Sequence, residues 1–496
     1  MNQRIQTIVI VGGGTAGWIA AAILARALPG VGLEITVVES PDIGTVGVGE
    51  ATIPPILELL RFLSIDEANF ITQTQATYKL GIRFSDWGQV GEHYWHPFGT
   101  FGVPINRRPF YQAFLKARAD GLAPRFNDFS LGAALGEDGL FRMPDPSGNG
   151  PAGGLRYALH FDAALVAKYL RLYAERLGVK RLEKTVTTAT QREDGFLTGL
   201  SFSDGGEIAG DLFLDCSGFR GALIEQVLKT GYEDWTHWLP CDRAVALPTA
   251  PDGPRPAYTQ AFARPNGWRW RIPLQHRTGN GHVYASGHTS DEAALADLIN
   301  EAGPPAAEPR FLRFTTGRRK RFWNKNVVAL GLASGFLEPL ESTSIHLVIS
   351  GVYNLLDHFP DTAYEPVNIA AYNADLATEM AHIRDFIILH YATTRRDDTA
   401  FWCHCASMPL PESLAERLAL YRANGRIPHR PGELFTDVSW FYVYEGMGVL
   451  PERHDPLMDV IQPGQFRNIL GQLATATAQA LQQAKPHDAF FGKPGG

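Results

Sequence analysis

The chain has 496 residues, of which 45% are apolar and 20% are charged, and its formal net charge is -7. This balance predicts a globular protein with a large buried core, and it gives no basic field that would attract nucleic acid. Four cysteines in so long a chain form neither a disulfide framework nor a complete zinc set. We therefore expect no metal, no nucleic-acid partner and a reducing, cytoplasmic compartment.

The N-terminal residues contain a short apolar run that could be mistaken for a secretion signal. It leads directly into glycines and not into a cleavage site, so we interpret it as a buried strand. No stretch approaches the roughly 18 to 20 continuous apolar residues that span a bilayer, and no membrane association is expected.

The chain begins with a βαβ unit. The pattern predicts a strand at residues 5–11, a glycine-rich turn at 12–17, a helix at 18–28 and a second strand at 33–38. Such a unit is the minimum for a parallel sheet.

Two later strands, at residues 212–214 and 327–330, lead into loops at 215–218 and 331–344. The pattern fits an α/β doubly wound sheet whose carboxyl-end loops come from distant parts of the chain.

The residue patterns in the rest of the chain predict a second sheet and a helical region. Strand-like segments at residues 78–84 and 268–272 indicate a substrate-side sheet, and residues 136–154 are a plausible mobile loop rich in Gly and Pro. From about Tyr353 onward the pattern is mainly helical. We predict a discontinuous nucleotide-binding domain at residues 1–355, with sheet segments near 75–130 and 235–310, and a helical cap at residues 356–496.

The glycine-rich turn predicts a dinucleotide site. In GGGTAG, Gly12 permits the tight turn, Gly14 lets the backbone approach a pyrophosphate, and Gly17 allows close packing. Thr15 and Ala16 lie in the turn before the helix, whose N-terminus supplies N–H groups and a positive dipole that favour an anion. Glu39 ends the next strand, where a carboxylate accepts ribose hydroxyls.

This unit alone does not separate FAD from NAD. The segment from Asp215 to Gly218 resembles the second short motif of FAD-binding folds, although an ordinary turn at a strand end would also explain it. Together with the third loop at Gly331, it favours FAD.

Several separated motifs resemble those of flavin-dependent halogenases of the tryptophan halogenase family. They are GGGTAGW at residues 12–18, GVGEATIP at 47–54, WRWRIP at 268–273, GFLEPLEST at 335–343, and the stretches around His390-Tyr391 and Phe401-Trp402. The paired match to the first and third of these is far more specific than either alone. The resemblance implies a FAD-binding fold of the flavoprotein monooxygenase type.

In that family reduced FAD reacts with oxygen to give a flavin hydroperoxide, which halide converts to hypohalous acid, and the acid travels to a lysine beside the aromatic substrate. The resemblance assigns this role to Lys79, because an amine can hydrogen-bond hypohalous acid or become a haloamine. From the residues alone, Lys79 lies on the polar face of a single alternating strand, where a solvated lysine is expected.

The resemblance makes Glu341 the acid that takes the proton from the halogenated ring or orients the oxidant, with Ser342 as its polar neighbour. A charge at a helix start is the structural alternative for Glu341. Backbone N–H groups at Thr343 and Ser344 form the expected halide site. The family usually has Gly where Ser344 stands, so the geometry of the halide site and the halide preference stay open.

The resemblance also implies further contacts with the cofactor and the substrate. The flavin contacts are Ala51, Val186, Leu332 and Ile345. Residues His96 and Phe98 match those that wall the aromatic substrate. Trp268 and Trp270 share one strand face, and either a place near the flavin or simple core packing explains them.

The C-terminal region departs from enzymes that act on free tryptophan. Those enzymes carry paired tyrosines and a glutamate that hold the amino acid, and the stretch at residues 440–448 does not superpose on that motif. We expect an indole or another electron-rich aromatic as substrate, with bromide or chloride as halide.

Two rival functions stay open. A flavoprotein aromatic hydroxylase would share the fold, but it commonly has Gly-Asp where this chain has Gly331-Leu332. The other is a non-catalytic FAD-binding protein, in which Lys79 and Glu341 would have no shared function. Because no NAD(P)H site is evident, reduced FAD is expected from a separate NAD(P)H-dependent flavin reductase. The oligomeric state stays open, with a homodimer among the options.

Overall fold

The fold is taken from a computed structural model, which describes residues 4–30, 32–41, 49–122 and 124–491. Gly47 and Val48, the first two residues of the GVGEATIP motif, lie outside the described residues.

The described strands, in chain order, are β1 (Thr7–Val11), β2 (Glu34–Glu39), β3 (Gly49–Ala51), β4 (Thr77–Lys79), β5 (Gly81–Ser85), β6 (His93–Pro97), β7 (Leu140–Phe141), β8 (Ala158–Asp162), β9 (Lys180–Glu183), β10 (Val186–Gln191), β11 (Leu197–Phe202), β12 (Glu207–Ala209), β13 (Leu212–Asp215), β14 (Tyr232–Asp234), β15 (Arg243–Thr249), β16 (Thr259–Arg264), β17 (Gly267–Pro273), β18 (Thr278–Tyr284), β19 (Arg310–Arg313), β20 (Gly317–Arg319), β21 (Trp323–Asn324), β22 (Val327–Ala329), β23 (Gly335–Phe336) and β24 (Lys485–Pro486).

The described α-helices are α1 (Thr15–Ala27), α2 (Pro55–Phe62), α3 (Glu67–Thr74), α4 (Phe110–Ala119), α5 (Leu131–Glu137), α6 (Gly150–Gly153), α7 (Ala163–Arg176), α8 (Asp291–Ala302), α9 (Ser344–Asp357), α10 (Pro366–Ala392), α11 (Ala400–Ser407), α12 (Glu412–Asn424), α13 (Asp437–Gly446) and α14 (Pro463–Gln482).

The chain divides into two compact units. The first unit comprises Met1–Ala76, Phe161–Asp242 and Leu312–Ala381, and the second comprises Thr77–His160, Arg243–Phe311 and His382–Gly496. Each unit is therefore assembled from three separate stretches of chain.

The first unit is built on a six-stranded sheet in the order β21-β22-β13-β1-β2-β9. The strands from β22 to β9 run parallel, and β21 is antiparallel at the edge. Nearly every side chain of β1 and β2 is buried, as expected for parallel strands covered on both faces. The sheet places the ends of β1, β2 and β13 at one edge, where a doubly wound fold binds its ligand.

The second unit is built on a seven-stranded sheet in the order β19-β15-β18-β17-β16-β5-β6. Most neighbours are antiparallel, but β16 and β5 pair in parallel, with Thr259 opposite Ile82. The same unit contains the antiparallel pair β4 and β8, in which Thr77 faces His160 and Lys79 faces Ala158.

The α/β fold class predicted from the sequence is confirmed, with a doubly wound sheet, a second sheet and a mainly helical C-terminal region. Residues 136–154, predicted as a loop, include the short elements β7 and α6. Among the described residues, no helix is both long and apolar enough to cross a membrane. The domain boundary near residue 355 stays a prediction.

Candidate active site

The glycine-rich turn of the first unit is closely packed at two of its glycines. Gly12 has a φ of +115°, and a Cβ added there would lie 2.2 Å from the carbonyl oxygen of Cys216. A Cβ at Gly17 would lie 1.9 Å from the carbonyl oxygen of Gly12. Both positions therefore exclude any side chain.

Gly14 shows the opposite environment, because a Cβ added there would meet no atom within 4 Å. Helix α1 begins at the next residue, Thr15, and its first turn contains no acidic residue. The leading N–H groups of α1, at Thr15, Ala16 and Gly17, have no acceptor within the helix itself. An open approach beside these donors fits a pyrophosphate group.

The carboxylate of Glu39, the last residue of β2, lies against this turn. A Cβ on Gly13 would fall 1.5 Å from Glu39 Oε2, so Gly13 is required by the carboxylate. Trp18 Nε1 donates to Oε2 at 3.3 Å, and Arg181 Nε donates to Oε1. An ionised carboxylate offers about four acceptor sites, so Glu39 retains capacity for ribose hydroxyls. The sequence interpretation missed Gly13 and Arg181.

Asp215 at the end of β13 shapes the second short motif through internal hydrogen bonds. Its Oδ1 accepts from the backbone N–H and the hydroxyl of Ser217, at 3.1 and 2.5 Å. Its Oδ2 accepts from the N–H groups of Leu223 and Ile224, at 2.7 and 2.8 Å. Four bonds fill the acceptor capacity of this buried side chain. Asp215 therefore builds the turn, and direct contact of its carboxylate with a cofactor is not supported.

The remaining candidate cofactor residues come from other parts of the first unit. A Cβ on Gly331 would lie 2.9 Å from Ala16 Cβ, so the third loop lies against the start of α1. Leu332 follows within the 3-10 turn Gly331–Ala333, and Gly218 begins the turn Gly218–Arg220. Three apolar candidates are buried or half-buried, namely Ala51, Val186 and Ile345.

Glu50 of β3 is a candidate that the sequence interpretation did not name. Burial raises the pKa of its carboxyl from 4.5 to about 7. It precedes Ala51, a candidate flavin contact. A strongly perturbed carboxyl beside a candidate site is typical of functional residues, although structural burial produces the same shift.

The segment that leads into α9 buries two carboxyl side chains, those of Glu338 and Glu341, at 0% and 1% exposure. Ser342 adopts a left-handed conformation, with a φ of +60°, which is uncommon for a residue with a side chain. Thr343 is the N-cap of α9, which begins at Ser344, close to the helix start expected just after Glu341. The turn thus ends where the first N–H groups of a helix are exposed to the loop.

In the second unit, Lys79 is fully buried, so the expectation of a solvated lysine on a polar strand face is wrong. The predicted single strand at residues 78–84 is broken at Leu80. The N–H of Leu80 donates to Ala257 and its carbonyl accepts from Phe98, both at 2.7 Å, so the chain passes from the β4–β8 pair into the seven-stranded sheet. Lys79 lies at this crossing and is covered from both sides.

The surroundings of Lys79 are aromatic. Its Nζ lies 5.1 Å from the centre of the Phe98 ring, within the range of a cation–π contact. The His96 ring is buried among aromatic rings, with centroids 5.5 Å from Phe386 and 5.9 Å from Tyr442. The structure therefore places His96, Phe98 and Lys79 in one unit, as a wall for a flat aromatic substrate would require.

Trp268 and Trp270 of β17 are both buried, at 1% and 9% exposure, with ring centroids 6.0 Å apart. Trp268 also contacts the ring of Trp87 at 6.4 Å. Packing within the second unit is sufficient to explain their burial, so their place near the flavin stays a prediction.

The C-terminal stretch that departs from the tryptophan-specific pattern forms α13. Glu445 accepts two hydrogen bonds from the Arg118 guanidinium, one of them at 2.8 Å. The ring of Tyr444 stacks on Tyr421 at 4.0 Å. These residues are therefore engaged with other side chains of the same unit.

The comparison with protein families decides the identity of the chain, since a model described as tryptophan halogenase matches residues 7–463. The chain belongs to the tryptophan halogenase family. It is 36% identical to the tryptophan 6-halogenase SttH of Streptomyces toxytricini, over 93% of each chain.

Solved structures of flavin-dependent halogenases match this family member over nearly its whole length. One from Xanthomonas campestris has a TM-score of 0.94 and 46% identity, over 98% of each chain. BrvH from Brevundimonas sp. BAL3 has a TM-score of 0.95 and 43% identity, over 99% of each chain. The predicted halogenase resemblance is confirmed, and the chain is an enzyme, a flavin-dependent halogenase that uses FADH2 and chloride or bromide. Such enzymes act on an aromatic substrate and depend on a separate flavin reductase.

Proposed function

We propose that this halogenase chlorinates or brominates an electron-rich, indole-like aromatic, with Lys79 as the residue that handles the oxidant. The observation that carries the proposal is the burial of Lys79 beside Phe98 in the second unit. Buried ionisable groups are rare and cluster at functional sites, and a position against an aromatic wall suits a residue that meets both an oxidant and a ring.

The cofactor would be held in the first unit. The open approach at Gly14, the leading N–H groups of α1 and the acceptor capacity of Glu39 fit FAD. Contacts with it are proposed for Gly12, Gly14, Thr15, Ala16, Gly17, Glu39, Ala51, Val186, Gly218, Leu332 and Ile345, with Asp215 shaping the turn before Gly218. Bound FADH2 would give two electrons to O2 and the halide the other two, so that the products are FAD, hypohalous acid and water.

Lys79 would hold hypohalous acid by a hydrogen bond or take up its halogen as a haloamine. On the first route the oxygen–halogen bond breaks as the halogen bonds to a ring carbon, and the oxygen takes a proton and leaves as water. On the second route water leaves when the haloamine forms, and the nitrogen–halogen bond then breaks as the nitrogen takes a proton and the halogen bonds to the ring carbon. The ring carbon loses its own proton to a base, which restores the aromatic ring.

We assign the role of this base to Glu341, with Ser342 as its polar neighbour. Backbone N–H groups at Thr343 and Ser344 would bind halide, since they start α9. The left-handed Ser342 orients the chain at that point, and conformations of this kind recur at functional sites.

The substrate side of the site would be formed by His96 and Phe98, together with Trp268 and Trp270. Free tryptophan is not the preferred substrate in this proposal. The Glu445 carboxylate is held by Arg118, so it is already neutralised and less suited to bind an amino group. A neutral indole has no charged amino group, so it does not need a free carboxylate at this position.

We also propose a cytoplasmic location, and a homodimer is an option that size measurement in solution would decide. The decisive experiment supplies FAD, NADH, a flavin reductase, O2 and either halide, and screens indole and related aromatics by mass spectrometry. Products that carry halogen support the proposal. Products that gain oxygen but never halogen would instead indicate an aromatic hydroxylase, and bound flavin without turnover would indicate a non-catalytic protein.

A further inference from the structure

A chain of four hydrogen-bonding groups lies next to Lys79 in the second unit. The Thr77 hydroxyl donates to the carbonyl oxygen of Pro273 at 2.6 Å. His160 Nδ1 lies 3.1 Å from the Thr77 hydroxyl oxygen, and His160 Nε2 lies 2.9 Å from the Thr259 hydroxyl oxygen. Thr77 and His160 are fully buried and Thr259 nearly so. Every bond in the chain is therefore shielded from water.

The direction of each bond follows from the chemistry of the groups. A proline carbonyl only accepts, so the single hydroxyl proton of Thr77 points to Pro273. The Thr77 oxygen must then accept from His160, which places a proton on Nδ1. If the imidazole is neutral, its Nε2 is an acceptor, and the Thr259 hydroxyl donates to it.

The neutral form of His160 is favoured by its surroundings. Burial and the positive charge of Lys79 lower the pKa of His160 well below 6.5, and protonation of His487 lowers it further. Lys79 lies on β4, two residues from the Thr77 that His160 faces, and His487 lies in the 3-10 turn His487–Phe490. Burial also lowers the pKa of His487, to about 4. Near neutral pH both imidazoles are therefore uncharged, and the tautomer of His160 is fixed.

The hydrogen-bond chain joins the lysine strand to the larger sheet. Thr77 and Lys79 are two residues apart on β4 and project to the same face, and His160 faces Thr77 across the β4–β8 pair. Thr259 is the first residue of β16 and Pro273 the last of β17, which pair antiparallel. The two outer groups of the hydrogen-bond chain, on Thr259 and Pro273, therefore lie together at one end of the β16–β17 hairpin.

We propose that His160 is a positioning residue for Lys79: as a neutral imidazole with its proton on Nδ1, it links the lysine strand to the β16–β17 hairpin. The link fixes β4 at Thr77, three residues before the chain crosses between sheets at Leu80, so it holds the Lys79 ammonium over Phe98. The neutral ring also places no second positive charge beside Lys79. This inference rests on the proposed role of Lys79.

Substitutions at Thr77 test the link without changing its volume. Val has nearly the shape of Thr but no hydroxyl, whereas Ser keeps the hydroxyl. We expect Thr77→Val to lower kcat for halogenation about tenfold with KM nearly unchanged, and Thr77→Ser to stay within about threefold of the wild type. The fraction of oxidant that escapes, measured with a soluble hypohalite trap, should rise in Thr77→Val.

Thr394→Val is the matched control, because its buried hydroxyl also donates to a backbone carbonyl, that of Trp87, at 2.7 Å. This control should lower the melting temperature about as much as Thr77→Val but leave kcat and the escaping fraction unchanged. A purely structural role for Thr77 would make the two variants behave alike, which would overturn the inference.

Two substitutions at His160 test its two hydrogen bonds, to Thr77 and to Thr259, separately. The amide nitrogen of Asn can replace Nδ1 and donate to Thr77, whereas the amide oxygen of Gln can replace Nε2 and accept from Thr259. Because the Thr77 bond reaches the lysine strand, His160→Asn should retain more halogenation than His160→Gln. The reverse order would overturn the inference.

The tautomer is measurable without turnover. In protein labelled with 15N-histidine and free of FAD, one imidazole that is absent from His160→Asn should show a protonated Nδ1 and no titration between about pH 5.5 and 8. A charged His160, or a proton on Nε2, would contradict the inference. A wild type that never halogenates contradicts the proposed function instead, whereas an active wild type with fully active Thr77→Val contradicts the positioning role alone.

Discussion

The ammonium nitrogen of Lys79 lies 5.1 Å from the centre of the Phe98 ring, and the lysine side chain is fully buried. The ring offers a negative face to the cation, a contact worth about 0.5–2 kcal/mol depending on how dry the site is. The Phe98 ring therefore helps to stabilise the charge of Lys79, the residue that we propose binds the oxidant.

Removal of the Lys79 ammonium should abolish transfer of halogen to the substrate. We expect Lys79→Met, which keeps the apolar stem, and Lys79→Ala to lose roughly 100-fold or more of the halogenation rate. FAD affinity should stay within about twofold in both, because the proposed cofactor residues are elsewhere in the chain. Phe98→Leu should lower the halogenation rate by less than about tenfold. Product analysis and flavin titration check these values, and a Lys79→Met enzyme with normal turnover would remove Lys79 from the mechanism.

Substitution of Glu341 by Gln should slow the reaction without weakening cofactor binding. The amide has the same shape but does not take up a proton, so we expect the halogenation rate to fall roughly 100-fold. Glu338→Gln is the comparison, since that side chain is equally buried in the same segment. Single-turnover rates with a pre-reduced flavin would measure both. An unchanged rate for Glu341→Gln would exclude it as the base.

Two glycines of the cofactor turn should respond differently to alanine. At Gly17 a Cβ would lie 1.9 Å from a backbone oxygen, so Gly17→Ala should impair folding. At Gly14 it meets no atom within 4 Å, so Gly14→Ala should fold like the wild type. It should nevertheless weaken FAD binding at least about tenfold, or ~1.4 kcal/mol, because the methyl group occupies the approach of the pyrophosphate. Undiminished affinity would place the pyrophosphate elsewhere.

Glu50 should destabilise the FAD-free protein as the pH rises. Its pKa is raised from 4.5 to about 7 in the folded chain, so between these values the folded state binds more protons than the unfolded state. The free energy of unfolding therefore falls with rising pH across this window. We expect Glu50→Gln to raise it by about 1–3 kcal/mol at pH 8 and to change it little near pH 4.5. Urea titrations at both pH values would measure this, and equal effects at both would contradict it.

His487 should have the opposite pH dependence. Its pKa falls from 6.5 to about 4 on folding, so between these values the unfolded state binds more protons. The free energy of unfolding should therefore decrease as the pH is lowered from 6.5 to 4, by up to about 3 kcal/mol from this residue. His487 Nδ1 lies 2.8 Å from the Arg255 carbonyl, a bond that Asn could preserve. His487→Asn should flatten the pH dependence of urea unfolding below pH 6.5, and an unchanged slope would contradict the assignment.

Local patterns in the sequence predicted the first unit well. The strand, turn and helix around Gly12 depend on neighbouring residues, and the structure has them with shifts of a few residues at their ends. A helix start just after Glu341 was predicted in the same way, and α9 begins at Ser344. Each of these features is determined by residues close together in the chain.

The environment of Lys79 could not be predicted in this way. Alternation around it indicated one strand with a wet face, but the break at Leu80 depends on Ala257, which is far away in the sequence. The paired acceptors of Asp215 and the approach of Arg181 to Glu39 also join distant segments. Tertiary contacts of this kind leave no periodic signal in the residues that make them.

The parallel pairing of β16 with β5 bears on how this enzyme is made. Ile82 finds its partner Thr259 only after a long intervening segment has been synthesised, and pairings of this range form slowly. During translation the edge of β5 that pairs with β16 therefore stays open until β16 has been made, and open strand edges are prone to aggregation. Slower synthesis at low temperature, or added chaperones, should raise the yield of active enzyme. Lys79 becomes enclosed only when that late partner arrives, so a nascent chain has no assembled place for the oxidant.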